Sequence, residues 1–196
     1  MWKRLAVLIL VAAWGYHWWS HREFSREPGV LVLEPPQQAS VAGISQRYAG
    51  GAKITPLATF DLRARVLGVK RYRFDDAAPL APYDLALGWG RMSDSEVLAA
   101  IDINQSGRFY FWSARRLPIP REEIVASSAN MHIIPANDAV RADLGRLRVG
   151  HVVRLRGFLV MAERREKGVW LSSMSRTDSG NGACELVWAE HVDIVE

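Results

Sequence analysis

A thiol and an imidazole are the side chains of this sequence best suited to covalent chemistry. Cys184 is the single cysteine, and His132 lies in an apolar stretch between Met131 and Ile133. A thiol nucleophile needs a base to take its proton and a third group to orient that base. Asn130 or Asp178 can supply the third group, while Gly180 and Gly182 can leave backbone N–H groups free to face an oxyanion. This set predicts a cysteine-dependent hydrolase or transferase using Cys184 and His132. A packing explanation competes with it. In the last apolar run, Cys184, Leu186, Trp188, Val192 and Ile194 alternate with Glu185, His191 and Asp193. Strand periodicity puts Cys184 on the apolar face, where a free cysteine behaves as a small hydrophobe. His132 has the setting of a core histidine that satisfies backbone groups. An enzyme is therefore the second expectation, not the first.

The second chemical feature is a donor-rich loop. Ser172, Ser173 and Ser175 precede Arg176-Thr177-Asp178-Ser179-Gly180-Asn181-Gly182, a set able to recognise a carboxylate, a sugar or a peptide. The same Asp, Asn and Gly residues also supply turn geometry. Gly88-Trp89-Gly90-Arg91 is comparable: Trp89 between glycines serves either as a stacking platform or as a plug in the end of a barrel. Together these stretches give an expected binding surface of Trp89, Arg91, Arg176, Asp178 and Asn181. No glycine pattern is a phosphate cradle, because the one at Gly180 and Gly182 opens a strand, not a helix. Of the five histidines only His17 and His21 are four residues apart, at the end of the apolar run and without a third ligand beside them, and Cys-x-x-Cys does not occur, so no metal and no cofactor are expected.

The charge balance excludes a nucleic-acid track. The sequence pI is near 9.5, but the excess lies at the start of the chain. Residues 1–56 carry six Lys/Arg against three Asp/Glu, and residues 57–196 carry 19 against 18. Arg63, Arg65, Arg71 and Arg73 recur on one predicted strand, with Arg154 and Arg156 on another. Adjacent strands would make these a basic face, although nearby acids favour a paired, solvated surface.

Three regions position these residues. Lys3 and Arg4 precede a run from Leu5 to Trp19 with no acidic or permanently charged residue. Trp2 at one end and Trp18 and Trp19 at the other resemble interfacial aromatics, and a small-x-small cleavage site is missing. Residues 1–20 are thus expected to be an uncleaved transmembrane signal anchor with its N-terminus in the cytoplasm. The bulk of the chain then lies in the periplasm or outside the cell. Residues 21–56, rich in Pro and Gly, read as a tether, with Val30–Leu33 able to pair with a sheet or dock on the domain.

Residues 57–196 read as an α+β domain. Alternation from Phe60 to Val66 predicts a strand, and Ser93 with Glu96 reads as a capping box that starts a helix at Asp94. Arg108–Trp112 forms an aromatic strand, and Pro120 opens a short helix. Ser128–Asn137 reads as a loop with a brief extended piece, and Asn137 caps another helix whose Val140, Leu144 and Leu147 share one face. Val152–Met161 is a long strand bent at Gly157, and Ala183–Val195 is the last. Bent strands, mid-strand glycines and inserted helices predict a strongly bent antiparallel barrel-like domain, OB-like or SH3-like.

The stretches ALGWGRMSD, SANMHIIPAN and SRTDSGNGACELVW resemble a group of uncharacterised bacterial proteins with an N-terminal membrane segment. The resemblance covers most of the chain beyond the first membrane-like segment. It implies a bacterial inner-membrane protein, single-pass, and transfers no catalytic residue. The leading functional expectation is a membrane-tethered extracytoplasmic binding or assembly module, attached through its N-terminal helix and meeting a protein partner of the envelope. The alternatives are the cysteine enzyme and a structural subunit of a membrane complex acting through its anchor.

Overall fold

In the computed structural model, which describes residues 2–175 and 183–196, the apolar start forms a helix, α1 (Trp2–His21). The transmembrane helix expected there is not found: among the described residues no helix is long and apolar enough to cross a membrane. Its ends explain this. Lys3 and Arg4 occupy the first turn and Tyr16, His17, Ser20 and His21 the last part. The Leu5–Trp19 run, about 22 Å at 1.5 Å per residue, falls short of a hydrocarbon layer of about 30 Å.

The following stretch is docked along much of its length. Phe24 N–H donates to the Val149 carbonyl at 2.8 Å. Leu31 and Val32 N–H both donate to Ser93 Oγ, and Val32 is buried in the main core. Two short strands, β1 (Gln37–Ser40) and β2 (Arg47–Ala49), pair with β3 (Ala52–Arg71). β3 therefore begins inside the stretch read as tether. The Pro and Gly content of that stretch reflects turns between docked pieces.

After β3 come β4 (Tyr83–Gly88), a 3-10 turn at Gly90–Ser93 and a one-turn helix, α2 (Ser95–Leu98). The cap of α2 is Asp94, whose carboxylate accepts from Glu96 N–H at 2.9 Å. Ser93 is instead buried against the docked N-terminal stretch, which corrects the expected capping box. A hairpin follows, β5 (Asp102–Ser106) and β6 (Phe109–Ser113), then α3 (Arg121–Ala126). The segment read as a loop is a strand, β7 (Ser128–Pro135), with α4 (Asp138–Arg146) after it. Asn137 caps α4 as expected, accepting from Val140 N–H at 3.0 Å. The chain ends in β8 (Val152–Arg164), β9 (Gly168–Leu171) and β10 (Glu185–Ile194).

β3 pairs with β8 along its first part and with β4 at its end; β4 pairs with β7, β7 with β10, and β10 with β8. The pairings thus run in a circuit within one bent, mixed sheet. The all-antiparallel expectation is corrected at one place, because β7 and β10 run parallel. Phe60 and Leu62 of β3, Leu85 and Leu87 of β4, Met131 and Ile133 of β7, Leu155 and Leu159 of β8, and Val187 of β10 pack into one core, with Val140 and Leu144 of α4 against it. Other faces are covered too: Ile134, Leu186 and Trp188 join a second cluster and Ala86, Met92 and Ile124 a third. β7 is buried on both faces: Met131 and Ile133 join the main core, and the polar residues that alternate with them, Ser128, Asn130 and His132, are buried too.

Gly157 is required where β8 and β10 cross, because a Cβ there would overlap the Trp188 carbonyl oxygen. The arginines of β3 and β8 do lie side by side, with Arg63 opposite Arg154 and Asp61 opposite Arg156. Acids pair with them: Arg154 binds Asp61 at 2.7 Å, Arg63 binds Glu196 and Arg156 lies near Asp193. The Arg154 bond holds the Asp61 carboxyl below its usual range. The face is solvated and paired.

Candidate functional site

β4 ends in Gly88-Trp89-Gly90, and both glycines are needed. A Cβ on Gly88 would collide with the Met92 carbonyl, and Gly90 has φ +52°, a left-handed backbone favoured only by glycine. The chain can therefore fold back at once into the 3-10 turn, while Trp89 N–H donates to the Ser127 carbonyl at 2.9 Å. Trp89 is held in the core, 3% exposed, as a plug rather than an open platform.

One side of its ring contributes to a cleft of about 300 Å³. The opposite wall is the β5–β6 hairpin, which presents Phe109, Tyr110, Phe111 and Trp112; the floor is the start of β7 with Asn130, and the rim is Ser175, Ala183, Cys184 and Glu185. Phe109 and Phe111 share one side of β6, 41% and 53% exposed, with ring centroids 6.3 Å apart.

The hairpin is fixed by polar bolts. Tyr110 OH donates to Ser128 Oγ at 3.2 Å, and that hydroxyl donates to the Ile124 carbonyl at 2.7 Å. Burial pushes the Tyr110 phenol up to about 12. Gln105 Nε2 donates to Asn130 Oδ1 at 2.7 Å, and Asn130 Nδ2 donates to the Arg108 carbonyl at 3.3 Å. Asn130, one candidate to orient His132, is thus spent on holding the hairpin.

Arg108 is the residue that sequence reasoning missed. With Gly107 it forms the two-residue turn between β5 and β6, and both have positive φ, 57° and 68°. This is the primed-turn geometry that matches strand twist, and it is costly for arginine. The side chain offsets the cost. Arg108 Nε and Nη2 donate to the Asp75 carboxylate at 3.0 and 2.7 Å, and Nη1 donates to the Ala81 carbonyl at 3.0 Å and to Asp84 Oδ1 at 3.3 Å. Its N–H donates to Tyr72 OH at 3.0 Å, and its guanidinium lies 4.1 Å from the Tyr72 ring centroid. The Arg108 bond holds the Asp75 carboxyl below its usual range, and burial raises the Tyr72 phenol. The only sequence signal was a glycine followed by a residue able to reach back to Asp75 and Asp84.

His132 belongs to this network. Its Nδ1 lies 2.8 Å from Asp84 Oδ1, and its ring packs against Trp170 with centroids 4.8 Å apart. A histidine oriented by a buried carboxylate is the base half of a catalytic triad. Here the orienting group is Asp84, in place of the expected Asn130 or Asp178. His132 does not line the cleft in which Cys184 sits.

The expected residues are therefore divided. Trp89, Asn130 and Cys184 share the cleft, together with Ser175 and Ala183, which flank residues 176–182. Arg176, Asp178 and Asn181 lie outside the described residues. Arg91 is not in the cleft; it stands on the 3-10 turn, with Nη1 3.5 Å from Glu123 Oε2. Cys184 also departs from its expected place on the packed apolar face. It is partly exposed just before β10, whereas Glu185 is buried. Cys184 stands one residue before β10, outside the strand pairing, so the alternation that buries Leu186 and Trp188 does not reach it. Among the described residues, no group of three or more His, Cys, Asp or Glu is placed to hold a metal. No family model matches this chain, nor does any curated protein or solved structure.

Proposed function

We propose that this chain is a membrane-attached binding module whose aromatic cleft receives an aliphatic or aromatic side chain from a peptide segment of a protein partner. The observation that carries the proposal is the cleft itself. A preformed apolar concavity, with two exposed phenylalanines on one wall and Asn130 and Ser128 at its floor, has the character of a recognition site. The segment 176–182, whose flanking residues reach the cleft, would supply Arg176, Asp178 and Asn181 as polar contacts.

The circuit β3–β4–β7–β10–β8, with a parallel pair between its third and last strands in chain order and α4 before the fourth, supports an OB-like barrel. In such barrels ligands meet the face and loops of the second and third strands, here β4 and β7. Attachment through α1 is supported by its side chains. Val7, Leu8, Ile9, Leu10 and Val11 are all exposed, and five consecutive positions go round the whole helix, so its apolar surface is not confined to one face. The resemblance to bacterial membrane-attached proteins agrees with this attachment.

The test uses the full chain in carbonate-washed membranes, with Phe109→Ser/Phe111→Ser as the variant. Both proteins are expected to stay with the membranes, and a partner recovered with the parent is expected to be lost from the variant. Release of the parent into the wash contradicts attachment, and unchanged recovery of the partner contradicts the cleft.

A second reading keeps one specific support, the partly exposed Cys184 thiol in a cleft. As a nucleophile it would alkylate fast below pH 7 in the native protein. The binding reading expects slow alkylation and a Cys184→Ser protein that still binds its partner.

A further inference from the structure

On β3, in a pocket that shares no lining residue with the aromatic cleft, Arg65 is buried at 4% exposure. Its Nη1 donates to the Ser93 carbonyl at 3.1 Å and to Ser95 Oγ at 2.7 Å, both uncharged acceptors. Nε is buried with no hydrogen-bond partner, and no carboxylate lies within ion-pair distance of the guanidinium among the described residues. Removing an arginine from water without a paired anion is costly. The charged groups that act on it are Glu23, Arg26 and Asp94. Asp94 is committed to the Gly29 and Glu96 N–H groups. Arg26 is a second cation with a buried and unpartnered nitrogen, Nη2. Glu23 is exposed.

Arg65 lines a pocket of about 340 Å³ whose other walls include Val66, Leu67, Leu98, Ile101 and Val149, with Glu23 at its edge. Asp102 is a second carboxylate of the lining. A buried cation beside a hollow walled by aliphatic side chains fits a ligand with an anionic head and an apolar chain, for which the two exposed acids give way. The pocket also lies where such ligands would be met. Glu23 is two residues beyond the end of α1, and Phe24 is hydrogen-bonded to Val149.

We propose that this pocket binds the anionic headgroup of an amphiphile, phosphate or carboxylate, with Arg65 as the head contact and the apolar wall around the first part of the chain. Glu23 competes with the head for the guanidinium and moves aside on binding. The site is separate from the aromatic cleft; its lipid source rests on the attachment through α1, its ligand chemistry does not.

The test is calorimetric titration of the full chain, reconstituted in phosphatidylcholine nanodiscs, with octyl phosphate, inorganic phosphate and octanol, against empty nanodiscs. Octyl phosphate is expected to bind saturably, and octanol to give only partition heat. Arg65→Gln removes a charge-assisted contact and is expected to weaken octyl phosphate about tenfold or more. Leu98→Trp fills the hollow, leaves Arg65 intact and is expected to weaken it similarly, which keeps the test open if Arg65→Gln does not fold. Glu23→Gln is expected to tighten binding. No saturable heat with octyl phosphate, or parental affinity in both Arg65→Gln and Leu98→Trp, overturns the proposal. Inorganic phosphate binding as tightly as octyl phosphate overturns the amphiphile and makes free phosphate the ligand. Loss of α1 attachment with octyl phosphate binding retained would separate failure of the membrane reading from failure of this site.

Discussion

Arg108 joins the strained turn of the β5–β6 hairpin to Asp84, the only fully buried aspartate among the described residues. Asp84 lies in the wall between β4 and β7, and its compensation comes from Arg108 and His132; Oδ2 has no hydrogen-bond partner. Truncating one member of a buried charged set leaves the others exposed to the desolvation penalty they had shared. Arg108→Ala is therefore expected to lower stability by about 3 kcal/mol, read as a drop in urea midpoint at unchanged m-value. Arg108→Gly separates two causes. It relieves the positive φ but loses the same bonds, so it should be as destabilising as the alanine within about 1 kcal/mol. A change under about 0.5 kcal/mol in either variant would mean that the network is ornamental.

At the scale of elements, the hairpin is a docked wall, and Tyr110 makes its docking sensitive to alkali. An unfolded tyrosine ionises near pH 10, whereas the buried Tyr110 ionises near 12. Below pH 10 both states hold the proton, and the stabilisation is fully present. Between about 10 and 12 the unfolded chain releases it first, so stability falls as pH rises through that window. Tyr110→Phe should flatten this decline while losing the bond to Ser128; urea melts at pH 8 and pH 11 measure both effects. An equal decline in parent and variant would contradict the role of Tyr110. The second strand of the hairpin was legible in the sequence as the aromatic run Arg108–Trp112; its partner β5 was not, because Asn104–Gly107 read as a turn. The cap of α4 at Asn137 was legible for the same kind of local reason. The length of β7 was not, because its buried Ser128, Asn130 and His132 have the polarity of a loop and Pro135 reads as a break. Nor was the exposure of Cys184, because the alternation placed it inside the last strand, whereas β10 starts at Glu185.

At the scale of the whole molecule, the bend of the sheet follows from which strands are neighbours. Sequence spacing could name the long strands and the glycine at their bend. It could not say that β3 meets β8, with partners from Ala52↔Arg164 to Arg65↔Val152, or that β10 lies parallel to β7, because those choices are made by long-range packing. The consequence for function is direct: the circuit brings the ends of β4, β7 and β10 together beside the hairpin, and the cleft exists only there. The proposed attachment through α1 would hold that cleft near a membrane, with the Arg65 pocket near the attachment point. The most direct test is site-specific photocrosslinking of the full chain in membranes, with p-benzoylphenylalanine at Phe111 in the cleft wall and at the exposed Tyr48 as control. The cleft reading predicts one discrete adduct from position 111 and none from position 48. No adduct from position 111, or the same adducts from both positions, would contradict it.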